Sequence, residues 1–156
     1  LEKNVIKNAR QYRITKAQAE KFARALSEAP KRTRRNAILE RLETDALRSQ
    51  YDELRQELAE YDALQSGRRR VISVKSFDEL PAALVKARIA AGLSQRELAQ
   101  RLGLKEQQIQ RYEATDYRSA SLSRLQKVVK ALGIQVHEEI FLPARTASTL
   151  RANKRA

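Results

Sequence analysis

Gly92-Leu93-Ser94-Gln95-Arg96-Glu97-Leu98-Ala99-Gln100-Arg101-Leu102-Gly103-Leu104-Lys105-Glu106-Gln107-Gln108-Ile109-Gln110-Arg111-Tyr112-Glu113 is the stretch that decides the fold. Ser94 with Glu97 three residues on is the signature of a capping box and starts a helix over residues 95–102. Leu98, Ala99 and Leu102 face inward on it. Gly103 allows the positive φ of a tight turn, and residues 105–112 form the next helix, with Ile109 and Tyr112 toward the core. The small Ala99 side chain lets the two helices approach closely.

The same pattern extends on both sides. Pro81-Ala82-Ala83-Leu84-Val85-Lys86-Ala87-Arg88-Ile89-Ala90-Ala91 reads as a helix closed by Gly92. Downstream, Ser121 caps a helix whose Leu122, Leu125, Val128 and Leu132 close the core before Gly133 stops it. Two short helices hinged at a glycine and braced by a third and fourth are the physical recipe for a helix-turn-helix.

Over residues 80–133, about a third of the chain, these residues resemble the XRE family, which includes the lambdoid phage repressors and Cro. The Ser94-Gln95 start, the Gly103 turn and the Tyr112-Glu113 end carry the likeness. The resemblance implies a sequence-specific binder of double-stranded DNA that regulates transcription. It places Glu106, Gln107, Gln108 and Arg111 on the exposed, base-reading face of the second helix. Gln107 is chemically suited to adenine and Arg111 to guanine in the major groove, while Glu106 either accepts from cytosine or repels phosphate. Ser94, Gln95, Lys105, Tyr117 and Arg118 are the implied phosphate contacts, Gln95 beside a helix N-terminus. Arg88 and Glu113 match a structural ion pair. One departure is visible: many family members carry Glu-Xaa-Gly after the second helix, whereas this chain has Glu113-Ala114-Thr115, so the loop must close without that glycine.

Upstream lies a different kind of sequence. Thr15 and Gln18 read as a helix start, followed by an apolar stripe of Ala19, Phe22, Ala23 and Leu26. Pro30 ends that helix, and Lys31-Arg32-Thr33 connects it to a long helix over about residues 34–65. Ile38 and Leu42 begin that helix's apolar face. Leu47, Tyr51, Leu54, Leu58 and Tyr61 follow at alternating steps of four and three, the spacing of helix-on-helix packing. Residues 1–66 therefore read as a helical hairpin for dimerisation or partner binding. Ser66-Gly67 ends it. Residues 67–79 form a basic linker, with Arg68-Arg69-Arg70 ahead of the β-prone Val71-Ile72-Ser73-Val74.

After the core, residues 134–142 alternate as a β-strand extension ended by Pro143, and residues 143–156 form a basic tail. A lone strand needs a mate, either Val71–Val74 or the same segment of a second chain. Ile134, Val136 and Ile140 join the hairpin stripe as candidate dimer or partner contacts. The single His137 reads as a surface residue. The expected architecture is mainly α: an N-terminal helical hairpin with a long helix, a lambda-repressor-like helix-turn-helix domain and a short C-terminal strand.

Composition agrees with a polyanionic partner. The 156 residues carry 32 lysines and arginines against 19 acidic residues, a net charge of +13. The excess is concentrated downstream, where residues 67–156 hold eighteen basic and eight acidic side chains. The chain contains no cysteine, so no thiol-based metal site, disulfide or cysteine nucleophile is expected. No glycine-rich phosphate loop, metal-ligand spacing or nucleophile–base set accompanies carboxylates such as Glu138-Glu139, so neither an enzyme nor a cofactor is expected. No apolar stretch is long enough to span a bilayer, and the basic faces lack the apolar partner face of a membrane-surface helix. The cytoplasm is the expected compartment. Leu1 and the absence of methionine suggest that the translational start lies upstream. The expected partners are an operator and a second copy of the chain. An antitoxin that neutralises a toxin through its helical part and represses its own operon, as in the HigA type, is the alternative.

Overall fold

The computed structural model describes residues 5–28 and 37–143. Six helices follow one another: α1 (Ala9–Glu28), α2 (Ala37–Gln65), α3 (Leu80–Ala90), α4 (Gln95–Leu102), α5 (Glu106–Ala114) and α6 (Leu122–Leu132), with a 3₁₀ turn at Phe77–Glu79 ahead of α3. The fold is mainly helical and contains a helix-turn-helix, as the sequence leads one to expect. The expected end of the first helix at Pro30, the connection Lys31-Arg32-Thr33 and most of the basic tail lie outside the described residues.

α1 begins earlier than the Thr15–Gln18 pattern suggests. Asn8 Oδ1 accepts the Gln11 backbone N–H at 2.9 Å, and Gln11 Oε1 accepts the Lys7 N–H at 2.7 Å. The first bond satisfies a donor that a helix start otherwise leaves unpaired, and the second ties the residue ahead of the cap to the first turn. Thr15 lies within the helix. The two long helices pack antiparallel, since the start of α1 meets the end of α2. Tyr12 and Tyr61 lie ring to ring at 5.0 Å, and Tyr12 Oη donates to Asp62 Oδ2 at 3.3 Å. Leu47, Tyr51, Leu54, Leu58 and Tyr61 are all half-buried, whereas Ile38, Leu39 and Leu42 are exposed.

The end of the hairpin packs into the helix-turn-helix. Leu64, at the end of α2, is buried in one core with Leu80, Leu84, Val85 and Ile89 of α3, Leu98 and Ala99 of α4, Ile109 of α5, Tyr117, and Leu125, Val128 and Leu132 of α6. Tyr61 and Ile72 pack against that same core. Tyr61, expected as a dimer or partner contact, is thus occupied within the chain. Glu60 adds a polar clasp: its Oε1 accepts Lys86 Nζ of α3 at 2.8 Å and sits 3.5 Å from Arg69 Nη1. Burying each large apolar side chain contributes about 1.5–3 kcal/mol, so Leu64 anchors the end of α2 on the helix-turn-helix.

No strand occurs among the described residues. The segment 134–143 has no regular secondary structure, and neither does 71–74. A strand exists only through hydrogen bonds to a neighbouring strand, and among the described residues neither segment has one. Ile134 packs on the core, while Val136 is more exposed and Ile140, Phe141 and Leu142 are 84–87% exposed.

Candidate nucleic-acid interface

α4 and α5 form the turn that the sequence pattern predicts. Ser94 Oγ accepts the Glu97 N–H at 3.1 Å and Glu97 Oε2 accepts the Ser94 N–H at 2.7 Å, so the capping box is complete. The Ser94 N–H and hydroxyl, both donating to the carboxylate, hold Glu97 below its ordinary pKa. Gly103 then adopts φ 65° and ψ 32°, and Leu104 N–H closes the turn on Ala99 O at 2.8 Å. A side chain in that conformation crowds its own backbone, which explains glycine here. α5 is capped only from one side. Gln108 Oε1 accepts the Lys105 N–H at 3.0 Å, while the Lys105 ammonium has no acceptor lone pair to return the bond.

Behind the turn lies a buried polar network. Arg88 Nε and Nη2 donate to Glu113 Oε1 and Oε2 at 2.6 and 2.8 Å, a bidentate pair with both side chains almost wholly buried. Arg88 also donates to Leu93 O and Lys7 O, each at 2.6 Å. Gln95 Nε2 donates to Glu113 Oε2 at 2.8 Å. Every buried side-chain nitrogen and oxygen among the described residues has a partner. Full pairing matters because a half-satisfied buried network costs more than an apolar core. This network links α3, α4, the end of α5 and the segment ahead of α1.

The expected base-reading residues all lie on the exposed side of α5. Gln107 and Arg111 engage no other described side chain. Gln108 spends its amide oxygen on the helix cap, and Glu106 Oε1 accepts Gln110 Nε2 at 3.1 Å. Among the expected phosphate contacts, Ser94, Lys105 and Arg118 are exposed, with the Ser94 hydroxyl already engaged by Glu97. Two others are placed elsewhere. Gln95 is 8% exposed, its amide nitrogen bound to Glu113, so its side chain faces inward. Tyr117 is 2% exposed and stacks on Tyr112 with centroids 5.9 Å apart, making it a core residue of the loop. Burial, with help from the Glu113 carboxylate, pushes its phenol well above the ordinary value.

Pattern reasoning missed the start of α1. A groove of about 650 Å³ runs between it and the helix-turn-helix, with Arg10 and Gln11 on one wall and Ser94, Glu97, Glu106 and Gln110 on the other. Arg10 thereby lines the same groove as residues of α4 and α5. Its placement depends on packing between segments about ninety residues apart, which no local pattern encodes. Among the described residues, no group of histidines and carboxylates is arranged to hold a metal ion, and no helix is long and apolar enough to cross a membrane.

The family model described as Helix-turn-helix matches residues 84–138, taking in most of α3 and all of α4 to α6. The chain therefore carries an XRE-type helix-turn-helix domain, the kind used by DNA-binding regulators of transcription. No curated protein and no solved structure matches the chain.

Proposed function

We propose that this chain is a homodimeric, sequence-specific repressor that reads the major groove of double-stranded DNA with α5. The observation that carries this reading is the exposure of Gln107 and Arg111 on a short helix whose inner side is held by the Arg88–Glu113–Gln95 network. An amide and a guanidinium one helical turn apart can each form a bidentate pair with a purine edge. Lys105 and Arg118 supply cations near the two ends of that helix, and the net charge of +13 favours phosphate as the wider contact.

Support for a second copy comes from the C-terminal segment. Ile140, Phe141 and Leu142 are exposed together, and a shallow groove lined by Phe77, Leu80, Leu122, Val129 and Val136 opens beside the same segment. Exchange of such segments between two copies is self-complementary, and two α5 helices on one DNA face then read half-sites about 34–36 Å apart. Selection of bound sequences from random duplex DNA, followed by mobility-shift titration, tests the reading. Equal affinity for selected and random duplexes overturns it.

The antitoxin reading draws on a different observation, the exposed Ile38, Leu39 and Leu42 at the far end of the hairpin from the helix-turn-helix. An exposed apolar cluster rimmed by charge suits a protein partner. Co-expression with the product of an adjacent small gene tests it: rescue of growth supports neutralisation, and rescue lost in Leu39→Asp and Leu42→Asp assigns it to this cluster. Unrescued growth counts against it.

A further inference from the structure

Four helices of the core end in the same way. After α3, α4 and α6, a residue with positive φ precedes a backbone N–H that reaches back five residues: Leu93 to Arg88 at 3.1 Å, Leu104 to Ala99 at 2.8 Å and Ile134 to Val129 at 3.4 Å. In these three the positive-φ residue is glycine. After α5 the Tyr117 N–H reaches Tyr112 O at 2.7 Å, with Asp116 in the glycine's place at φ 46° and Tyr117 itself at φ 55°. Two consecutive non-glycine residues in the left-handed region are an unfavourable conformation, and something outside the loop has to hold it.

Lys7 is placed to do so. Its Nζ lies 2.7 Å from Asp116 Oδ1 and donates to Glu113 O at 2.6 Å, while its own carbonyl accepts Arg88 Nη2. The Lys7 side chain is 13% exposed, and the preceding Ile6 is buried. One ammonium thus spans the last turn of α5 and the first left-handed residue beyond it, from a segment 77 residues ahead of the family match.

We infer that Lys7 is a positioning residue for DNA recognition: it clamps the glycine-free loop after α5 and so sets the presentation of Arg111 and Arg118. The inference rests on the DNA-binding reading for its functional consequence, while the clamp itself stands on geometry. It also makes DNA affinity depend on the seating of the segment that leads into α1.

The test uses the full chain with Lys7→Met, Asp116→Asn, Asp116→Gly and the Lys7→Met/Asp116→Gly double variant. Two readouts are taken: amide hydrogen exchange over residues 115–118 without DNA, and affinity for the selected duplex at several salt concentrations. Lys7→Met should speed exchange in this loop and lower affinity about tenfold, with the salt slope unchanged. Asp116→Asn, which leaves Lys7 in place, should act in the same direction. Glycine at 116 removes the backbone strain at that position and leaves only Tyr117 in the left-handed region, so the double variant should recover part of the affinity lost in Lys7→Met. Unchanged exchange in both Lys7→Met and Asp116→Asn overturns the clamp, whether or not the protein binds DNA. Faster exchange with unchanged affinity, or affinity lost with a salt slope reduced by about one, overturns the positioning role, the second because Lys7 then touches phosphate itself. Failure of the wild-type chain to prefer any duplex overturns the DNA-binding reading and the positioning role, leaving the exchange result to judge the clamp.

Discussion

Gln95 Nε2 donates to Glu113 Oε2 at 2.8 Å, which ties the first turn of α4 to the last turn of α5 through two side chains that are both buried. The Gln95 amide thus joins the two helices of the motif from the inside. Gln95→Ala leaves Glu113 one donor short in a buried site and should cost about 1–3 kcal/mol, seen as a lower urea midpoint.

Arg88 and Glu113 are a stricter case. Removing either charge strands the other in the core, and each single substitution to alanine should cost about 3–5 kcal/mol. Replacing both with similarly sized apolar residues, Arg88→Met with Glu113→Leu, should cost less than the sum of those two substitutions made alone. Thermal unfolding of the wild type, Arg88→Met, Glu113→Leu and the double variant measures this coupling directly.

On the reading side, the expected signatures differ by residue. Gln107→Ala and Arg111→Ala should each lose about 1–3 kcal/mol of discrimination, with relaxed preference at separate base positions. Lys105→Ala should instead weaken binding to all sequences alike and reduce the salt slope by about one. Titrations against single-base variants of the selected duplex distinguish the two patterns.

Acid should weaken α4 at its start. Glu97 has its pKa held down by the Ser94 backbone and hydroxyl donors, so its contribution is present above the ordinary glutamate value of 4.5 and fades as pH falls through the lower, folded value. Glu97→Gln keeps a side-chain acceptor but no longer titrates, and its stability should vary less with pH over that acidic range. Denaturant midpoints measured from neutral pH down to about pH 3 check the difference.

Gly103 offers a test of the turn alone. Apart from the adjoining backbone, no atom lies within 4 Å of where a Cβ would sit, so Gly103→Ala suffers only from the backbone at φ 65°. A cost of about 1–2 kcal/mol follows, with a smaller one for Gly103→Asn. A larger loss on thermal unfolding would mean that the turn is more crowded than described.

The helix-turn-helix was legible because its instructions are local. Ser94 meets Glu97 three residues away, and Gly103 acts on its own φ, so the chain announces both without reference to the rest of the molecule. Residues whose roles depend on distant packing were read less well. Gln95 and Tyr117 look like polar surface residues in a basic sequence, yet the buried Glu113 and the stacked Tyr112 draw them inward. Thr15 carries a convincing cap pattern, but Asn8 starts the helix two turns earlier. Alternation in residues 134–142 describes a segment able to form a strand, and a strand also requires a neighbour. Lys7 left no trace at all, because its partners Glu113 and Asp116 lie more than a hundred residues away.

Leu64 has one further consequence. Since that leucine at the end of α2 is sealed into the interior made by α3 to α6, the smallest transplantable piece exceeds the stretch that family likeness would mark out. An engineer grafting this reader onto another protein has to carry the base of the hairpin and the strand of chain around Ile6 along with it. Cut at residue 84, the graft arrives with an open wound in its interior where Leu64 and Leu80 used to be.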